Sequence, residues 1–159
     1  MTTTDRSEEP AHIPETAQVP LTDRISFLVH RINAHLLRVT KPLLKRWGID
    51  LTESRLLVAI LEQGEMSAGD IVSTMALPQS TVSHQLKRLE KLGYIVREPT
   101  PDDQRRIMAR LTETGRQVAK EGNALSRSVT DVVFHAIGAD DIEMVRRAMK
   151  RVDQQLAKL

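Results

Sequence analysis

The spacing of hydrophobic positions along the chain predicts a mostly helical protein. Apolar residues recur every three or four positions from Ile25 to Leu43, which places them on one stripe of a long first helix. The same period continues in later segments. The predicted helices cover residues 22 to about 47, 53–63, 68 to 75 or 76, 78–93 and 113 to about 137, and a sixth helix starts at Asp140 or Asp141 and includes Leu156.

Residues with strong positional preferences mark the ends of these helices. The predicted N-caps are Thr52, Ser67 and Thr112, and the predicted stops are Gly48, Gly64 and Gly93. The spacing from Ser67 to Asp70 matches a capping box, in which each residue accepts a backbone N–H of the other. Pro42 is predicted to kink the first helix, and Pro78 to occupy the first position of the fourth.

The stretch between the fourth and fifth helices has a different period. Residues 94–97 and 105–111 are predicted as two strands of a hairpin, joined by a polar turn around Pro99 to Asp103. The second strand has a predicted inward set of Ile107, Ala109 and Leu111 and an outward set of Arg106, Met108 and Arg110. This alternation predicts a half-buried strand.

The order of these elements predicts a mainly α (α+β) fold, a winged helix-turn-helix flanked by long helices. Residues 51–112 are the expected DNA-binding domain, residues 21–50 and 113–159 a helical dimerisation region, and residues 1–20 a disordered tail rich in Pro, Thr and Glu. The outer helices carry more apolar surface than the small central unit can cover. We therefore expect a homodimer, in which a second copy supplies the missing partner.

The fourth helix has two faces of contrasting chemistry. On a helical wheel Val82, Leu86 and Leu89 point into the domain. The outward face and its flanks carry Ser80, Ser83, His84, Lys87, Arg88 and Lys91. Small hydroxyl groups near a helix start enter a major groove without clashing, and lysines neutralise phosphates. Because any amphipathic helix has a polar face, a solvated surface is the alternative interpretation.

The polar turn of the hairpin favours the DNA interpretation. A narrow minor groove attracts an inserted arginine by its negative potential, and Arg105 and Arg106 lie at the turn. Asp103 is predicted to hold the guanidinium of Arg105 through a bidentate pair. The alternative is an ordinary exposed ion pair, worth about 0–1 kcal/mol. The predicted DNA-binding residues are Gln79, Ser80, Thr81, Ser83, His84, Lys87, Arg88, Asp103, Arg105 and Arg106.

Residues 51–115 resemble the MarR (multiple antibiotic resistance regulator) family of winged helix-turn-helix proteins. The resemblance is carried by Ser80–Ser83, Leu86, Arg88–Glu90, Leu92–Ile95, Asp103-x-Arg105, Leu111-Thr112 and Gly115. It implies an obligate dimer with intertwined first, fifth and sixth helices, palindromic operators, a recognition helix in the major groove and Arg105 in the minor groove. Leu77-Pro78 departs from the polar capping residue that such proteins often have before the recognition helix.

Proteins that resemble this family often bind a small anionic or aromatic effector, and the first helix carries a candidate site. Basic residues recur there every seven positions, at Arg24, Arg31, Arg38 and Lys45. Arg31, His35 and Arg38 are predicted to clamp a carboxylate beside the apolar stripe. The alternative is that these side chains are solvated or paired with the partner subunit.

Composition argues against several other functions. The chain has no cysteine, which removes thiol catalysis, thiol-based peroxide sensing and Cys-zinc sites. The spacing of the histidines does not suit a metal site, and no cofactor is expected. No apolar run is long enough to span a bilayer and no signal peptide opens the chain, so we expect a cytoplasmic protein that does not contact membranes.

Charge separates the functions that remain. The net charge is only +2, and outside residues 1–20 there are 22 basic and 17 acidic residues. An architectural DNA-binding protein is expected to be far more positive, and a protein-interaction winged helix to expose apolar residues on the fourth helix. No phosphate-binding loop or nucleophile elbow indicates an enzyme. The sequence predicts a ligand-responsive regulator that acts as a repressor, with an architectural protein or a ligand-independent regulator as the alternative.

Overall fold

The computed structural model describes residues 19–159, so residues 1–18 of the predicted disordered tail lie outside the described part of the chain. The described residues divide into two compact units, residues 19–39 and 40–159, with the boundary inside the first helix. The helices and strands in chain order are α1 (Ile25–Leu44), α2 (Leu51–Gln63), β1 (Met66–Ser67), α3 (Ala68–Met75), α4 (Gln79–Lys91), β2 (Ile95–Pro99), β3 (Ile107–Leu111), α5 (Glu113–Phe134) and α6 (Ala139–Leu156).

In the first unit, α1 begins three residues later than the sequence predicts. A short 3₁₀ helix covers Leu21–Asp23, and Arg24 then adopts an extended backbone, with ψ at 134°, before the α-helix starts at Ile25. The Nε of Arg24 donates a hydrogen bond to the carbonyl of Val19 at 3.2 Å. This bond ties the segment before the helix to the residue at its start.

In the second unit, a tight corner joins α1 to α2. A 3₁₀ turn follows α1, and Gly48 ends it in the left-handed conformation (φ 67°), which confirms the predicted stop. The predicted cap of α2 is wrong, since Asp50 and not Thr52 precedes the helix. The Asp50 carboxylate accepts the Glu53 N–H at 2.8 Å, and the Glu53 carboxylate accepts the Asp50 N–H at 2.9 Å. This reciprocal pair moves the start of α2 to Leu51.

Helices α3 and α4 form the helix-turn-helix. The predicted capping box of α3 is confirmed, because Ser67 Oγ accepts the Asp70 N–H at 3.1 Å and the Asp70 carboxylate accepts the Ser67 N–H at 2.9 Å. Ala76 ends α3 with a positive φ of 50°. Pro78 was predicted inside α4 but stands before it with an extended backbone and no side-chain cap. The helix begins at Gln79.

The hairpin belongs to a three-stranded antiparallel sheet of order β1-β3-β2. Strand β1 has only two residues, and its Met66 lies opposite Ala109. The predicted alternation of β3 is wrong at two positions, since Met108 is 7% exposed and Ile107 is 40% exposed. As the central strand, β3 packs against α2, α3 and α5, so both of its faces are partly covered.

Burial is concentrated in the winged helix-turn-helix and fades toward the C-terminal end. The core residues of the second unit include Leu56, Leu57, Ile60, Ile71, Val82, Leu89, Ile95, Val118 and Ala119. The buried residues of α5 all lie between Gly115 and Gly122, and α6 has none. No helix within residues 19–159 is long and apolar enough to cross a membrane.

Candidate nucleic-acid interface

Helix α4 presents the two faces that the sequence predicts. Val82, Leu86 and Leu89 are at most 3% exposed and anchor the helix in the core. The residues predicted to read DNA divide into an exposed group of Gln79, Ser80, His84, Lys87 and Arg88 and a half-buried pair of Thr81 and Ser83. The exposed polar face therefore runs along the whole helix, with its hydroxyl groups at the N-terminal end.

The turn between β2 and β3 is organised by Asp103. Its backbone N–H donates to the carbonyl of Thr100 at 3.3 Å, and its carbonyl accepts both the Thr100 hydroxyl at 2.9 Å and the Arg106 N–H at 3.0 Å. Its carboxylate accepts the backbone N–H of Arg105 at 2.9 Å. The predicted pairing of Asp103 with the guanidinium of Arg105 is wrong, because the carboxylate is used on the backbone and fixes the turn instead.

The arginines of the wing fall into two groups. Nη1 of Arg97 lies 3.8 Å from Oε2 of Glu90, and Nη2 of Arg110 lies 2.9 Å from Oε2 of Glu65. Both arginines in the strands of the hairpin are therefore paired with a carboxylate. Arg105 and Arg106 at the turn are exposed and form no ion pair within residues 19–159. The arginines of the wing without an ion pair are thus the two at its tip, which also carries Asp102 and Asp103.

The base of the wing is locked to the start of α5. Thr112 caps α5 by accepting the Gly115 N–H at 2.9 Å, which confirms the predicted cap. Its hydroxyl also donates to the carbonyl of Gly93 at 2.7 Å, and its N–H donates to the carbonyl of Tyr94 at 3.0 Å. A Cβ on Gly115 would lie 1.8 Å from that Tyr94 oxygen. Only glycine permits this close approach of helix and wing.

Arg88 is exposed but already engaged within the protomer. Its Nε lies 2.5 Å from Oε1 of Glu53, which is 1% exposed, and its Nη2 donates to the carbonyl of Gly48. The hydrogen bond that Arg88 donates to Glu53 raises the pKa of Arg88 above its ordinary value. Nearby, the hydroxyl of Tyr94 donates to the carbonyl of Trp47 at 2.8 Å. The corner between α1 and α2 is therefore held from the C-terminal part of α4 and the segment that follows it.

Sequence reasoning missed this network, although it contained a signal for part of it. Glu53 lies four residues before Leu57 and seven before Ile60, both of which are buried, so it shares their face of α2. A carboxylate on an apolar face needs a partner, because an unpaired buried charge is strongly unfavourable. The pattern shows that need, but it does not show that Arg88, 35 positions away, meets it.

The candidate effector residues lie on α1. His35 Nδ1 and Arg38 Nη2 are 3.3 Å apart, which brings two of the three predicted residues together on an exposed surface. Arg31 is also exposed and is not joined to them by a contact within the described residues. One helical turn before Arg31, the rings of Phe27 and His30 lie 6.1 Å apart. No group of three metal-ligating side chains occurs within residues 19–159.

Known proteins share both the sequence and the architecture of this interface. The MarR family model matches residues 47–106, from the corner before α2 to the tip of the wing. The transcriptional regulator TcaR of Staphylococcus aureus (strain Newman) is 26% identical over 141 residues, covering 86% of this chain and 93% of TcaR. This chain is therefore similar to the MarR family over 60 of its 159 residues. The relative is a transcriptional regulator, and the structure of this chain contains a winged helix-turn-helix.

Two further comparisons extend the likeness beyond the matched segment. The structure of CouR from Rhodococcus jostii RHA1, bound to p-coumaroyl-CoA, superposes with a TM-score of 0.77 at 25% identity, covering 85% of this chain and 95% of CouR. The transcriptional repressor IacR of Pseudomonas putida is 23% identical over 148 residues, covering 93% of this chain and 89% of IacR. The MarR-family likeness therefore includes the long outer helices. The relatives are transcriptional regulators, which are not enzymes.

Proposed function

We propose that this protein is a MarR-family transcriptional regulator, a homodimeric repressor that binds a palindromic operator and is released by a small aromatic or carboxylate effector. Each protomer places α4 in the major groove, where Ser80, His84 and Lys87 contact bases and phosphates. Each wing places Arg105 in the adjacent minor groove. Repression is proposed because IacR, which matches 93% of the chain, is described as a repressor.

The observation that carries this proposal is the division of α4 into an anchored face and a free face. Val82 and Leu89 are fully buried, whereas Ser80 and Lys87 are exposed on the same helix. A polar helix face beside two exposed arginines without ion pairs suits a ligand of negative charge. The spacing of a groove-bound helix and a wing suits duplex DNA, which offers two grooves side by side.

The apolar face of α6 supports the dimer. Val145, Met149 and Val152 recur on one face and are each more than 40% exposed in the protomer. Val132 near the end of α5 is 78% exposed. An apolar stripe of this length on a helix without buried residues is expected to pack against another helix, and a second copy of the chain provides one.

Selection of bound duplexes from a random pool tests the proposal. The expected result is an inverted repeat whose half-sites are about one helical turn, or ~10 bp, apart from centre to centre. The affinity should also fall steeply with salt, because each neutralised phosphate contributes about −0.9 to the logarithmic slope. Recovery of random sequence with no half-site pattern would favour an architectural protein and would reject the proposal.

A thermal-shift screen of aryl acids and their thioesters tests the effector. CouR, which was solved with p-coumaroyl-CoA, suggests this class of compound. We expect an active compound to raise the melting temperature, and the double variant Arg31→Ala/Arg38→Ala to lose that response. Lys45→Ala is the matched control, since it removes a charge from the same seven-residue series outside the clamp. Equal ligand responses in both variants would reject the clamp.

A further inference from the structure

The contact between α4 and the start of α2 is a buried carboxylate on an exposed arginine. Glu53 is 1% exposed and Arg88 is 45% exposed, with Nε and Oε1 2.5 Å apart. The second oxygen of Glu53 accepts the backbone N–H of Asp50 at 2.9 Å. Both oxygens are therefore used, one on the start of α2 and one on the side chain of the recognition helix. The carboxylate cannot reach DNA.

The guanidinium of Arg88 also binds the corner before α2. Its Nη2 donates to the carbonyl of Gly48, and the Tyr94 hydroxyl donates to the adjacent carbonyl of Trp47 at 2.8 Å. Two successive carbonyls thus receive donors from the C-terminal part of α4 and from Tyr94. This double attachment fixes α4 against α2 at the end opposite its hydroxyl-bearing N-terminus.

The neighbouring Lys87 shows the contrast. It is exposed and forms no ion pair within residues 19–159, so its ammonium is free to meet a phosphate. The charge of Arg88 is compensated by Glu53, and two of its donor nitrogens are already used inside the protomer. A phosphate contact by Arg88 would be limited to the donors that Glu53 and Gly48 leave free, on a guanidinium whose charge the buried carboxylate already compensates.

We propose that Arg88 is a positioning residue and not a DNA ligand, and that it acts with Glu53 to set the placement of α4 in the major groove. Glu53, which cannot touch DNA, is then a determinant of operator affinity. The planar guanidinium suits this role because it donates to Glu53 and to Gly48 at once, which a lysine ammonium does with far less geometric precision. This inference rests on the proposed function.

The charge-conserving variant Arg88→Lys separates positioning from phosphate contact. Lysine would keep most of the attraction to a phosphate because it keeps the positive charge. It would not reproduce the planar guanidinium that contacts Glu53 and Gly48 at once. We expect operator affinity to fall about tenfold, which is within the range that one misread base pair brings. Affinity for an unrelated duplex should stay within about twofold, because phosphate contacts dominate it. Wild-type operator affinity in a folded Arg88→Lys variant would overturn the proposal.

The variant Glu53→Gln gives a test of opposite sign. If Arg88 contacted a phosphate, the weaker contact between Arg88 and the glutamine at position 53 would free the guanidinium. Operator binding would then be unchanged or tighter. Positioning predicts weaker operator binding instead. Circular dichroism and sedimentation establish that the variant is folded and has the wild-type oligomeric state. If Glu53→Gln does not fold, Arg88→Lys decides the question by itself, since it keeps a cation opposite the carboxylate.

The double variant Glu53→Gln/Arg88→Gln removes the pair without changing the net charge. We expect weaker operator binding with a salt slope within about 0.5 of the wild type, whereas Lys87→Gln should lower the slope by about 1.8 per dimer. A slope for the double variant as low as that of Lys87→Gln would overturn the proposal. Failure of the wild type to select an operator would instead reject the proposed function, and it would be seen before any variant is made.

Discussion

Replacing Gly115 with alanine tests whether the wing is positioned by its contact with the start of α5. The added Cβ would lie 1.8 Å from the carbonyl oxygen of Tyr94 and 2.6 Å from its carbon. These are backbone atoms, so no side-chain rotation relieves the overlap. The helix and the wing base would have to separate by roughly 1.5 Å to reach the ~3.3 Å of an ordinary carbon–oxygen contact.

The cost follows from what that separation strains. Overpacking a well-packed site typically costs about 1–3 kcal/mol. The hydrogen bonds from Thr112 to the carbonyls of Tyr94 and Gly93, at 3.0 and 2.7 Å, would lengthen, and each contributes about 0.5–1.5 kcal/mol. The higher helix propensity of alanine than of glycine offsets up to about 1 kcal/mol of this destabilisation. The expected loss of stability is about 1–4 kcal/mol, which lowers the melting temperature by roughly 3–15 °C for a chain of this size.

Thermal unfolding at one fixed protomer concentration measures this effect, since the melting temperature of a dimer depends on concentration. Gly69→Ala is the matched control in the first turn of α3, where the nearest atom to an added Cβ is Ser67 Oγ at 3.7 Å. It should gain about 0.5–1 kcal/mol. The melting temperature of Gly122→Ala should lie between those of Gly115→Ala and Gly69→Ala. Its Cβ would lie 2.8 Å from Ser54 Oγ, a side-chain atom that can move, whereas the atoms near Gly115 belong to the backbone.

Gly115→Ala and Gly69→Ala are expected to shift the melting temperature in opposite directions. If Gly115→Ala melted at or above the wild-type temperature, the close approach to Tyr94 would not be a feature of the protein. If Gly115→Ala lost stability but kept full operator affinity, the contact would stabilise the fold without positioning the wing. Ser54→Ala should rescue Gly122→Ala and leave Gly115→Ala unchanged, which assigns each loss to its own overlap.

Three further outcomes are expected. Arg105→Ala should weaken operator binding strongly while the melting temperature stays unchanged; equal affinity at fixed salt would contradict the minor-groove assignment. Hydrogen bonding to the Ser67 hydroxyl lowers the pKa of Asp70, so its stabilisation is present above the ordinary carboxyl pKa and is lost as pH falls through the lower folded value. Asp70→Asn should therefore melt below the wild type at pH 7, with a difference that shrinks under about pH 4; a constant difference would contradict this. Met149→Glu should yield monomers by sedimentation while Lys150→Glu stays dimeric.

Local rules were sufficient wherever the deciding interaction lies within a few residues. The capping box of Ser67 and Asp70, the stop at Gly48 and the cap at Thr112 all depend on contacts between near neighbours. The buried line of Val82, Leu86 and Leu89 in α4 likewise follows from helical spacing. The same rules would have placed the cap of α2 correctly, because Asp50-x-x-Glu53 also has the capping-box spacing.

The errors in the hairpin arise from contacts that are distant in sequence. Strand β1 is only two residues long, too short for any alternation, and it exists because Met66 pairs with Ala109. That pairing makes β3 a central strand, and Met108 becomes buried on the face that alternation assigns to solvent. Asp103 was predicted as a partner for a guanidinium, but the turn needs an acceptor for the Arg105 N–H and uses the carboxylate there.

Helix α5 shows why amphipathic patterns predict a buried face but not its partner. Val118 is 4% exposed and belongs to the core of the winged helix-turn-helix, whereas Val132, fourteen residues later on the same side of the helix, is 78% exposed. One continuous stripe thus serves two partners, the first inside the protomer and the second proposed to lie in another copy. The stability lost in Gly115→Ala should therefore report on the DNA-binding unit, whereas the concentration dependence of melting should report on the end of α5 and on α6. If concentration had no effect on melting, the second half of the stripe would lack the partner that its exposure demands.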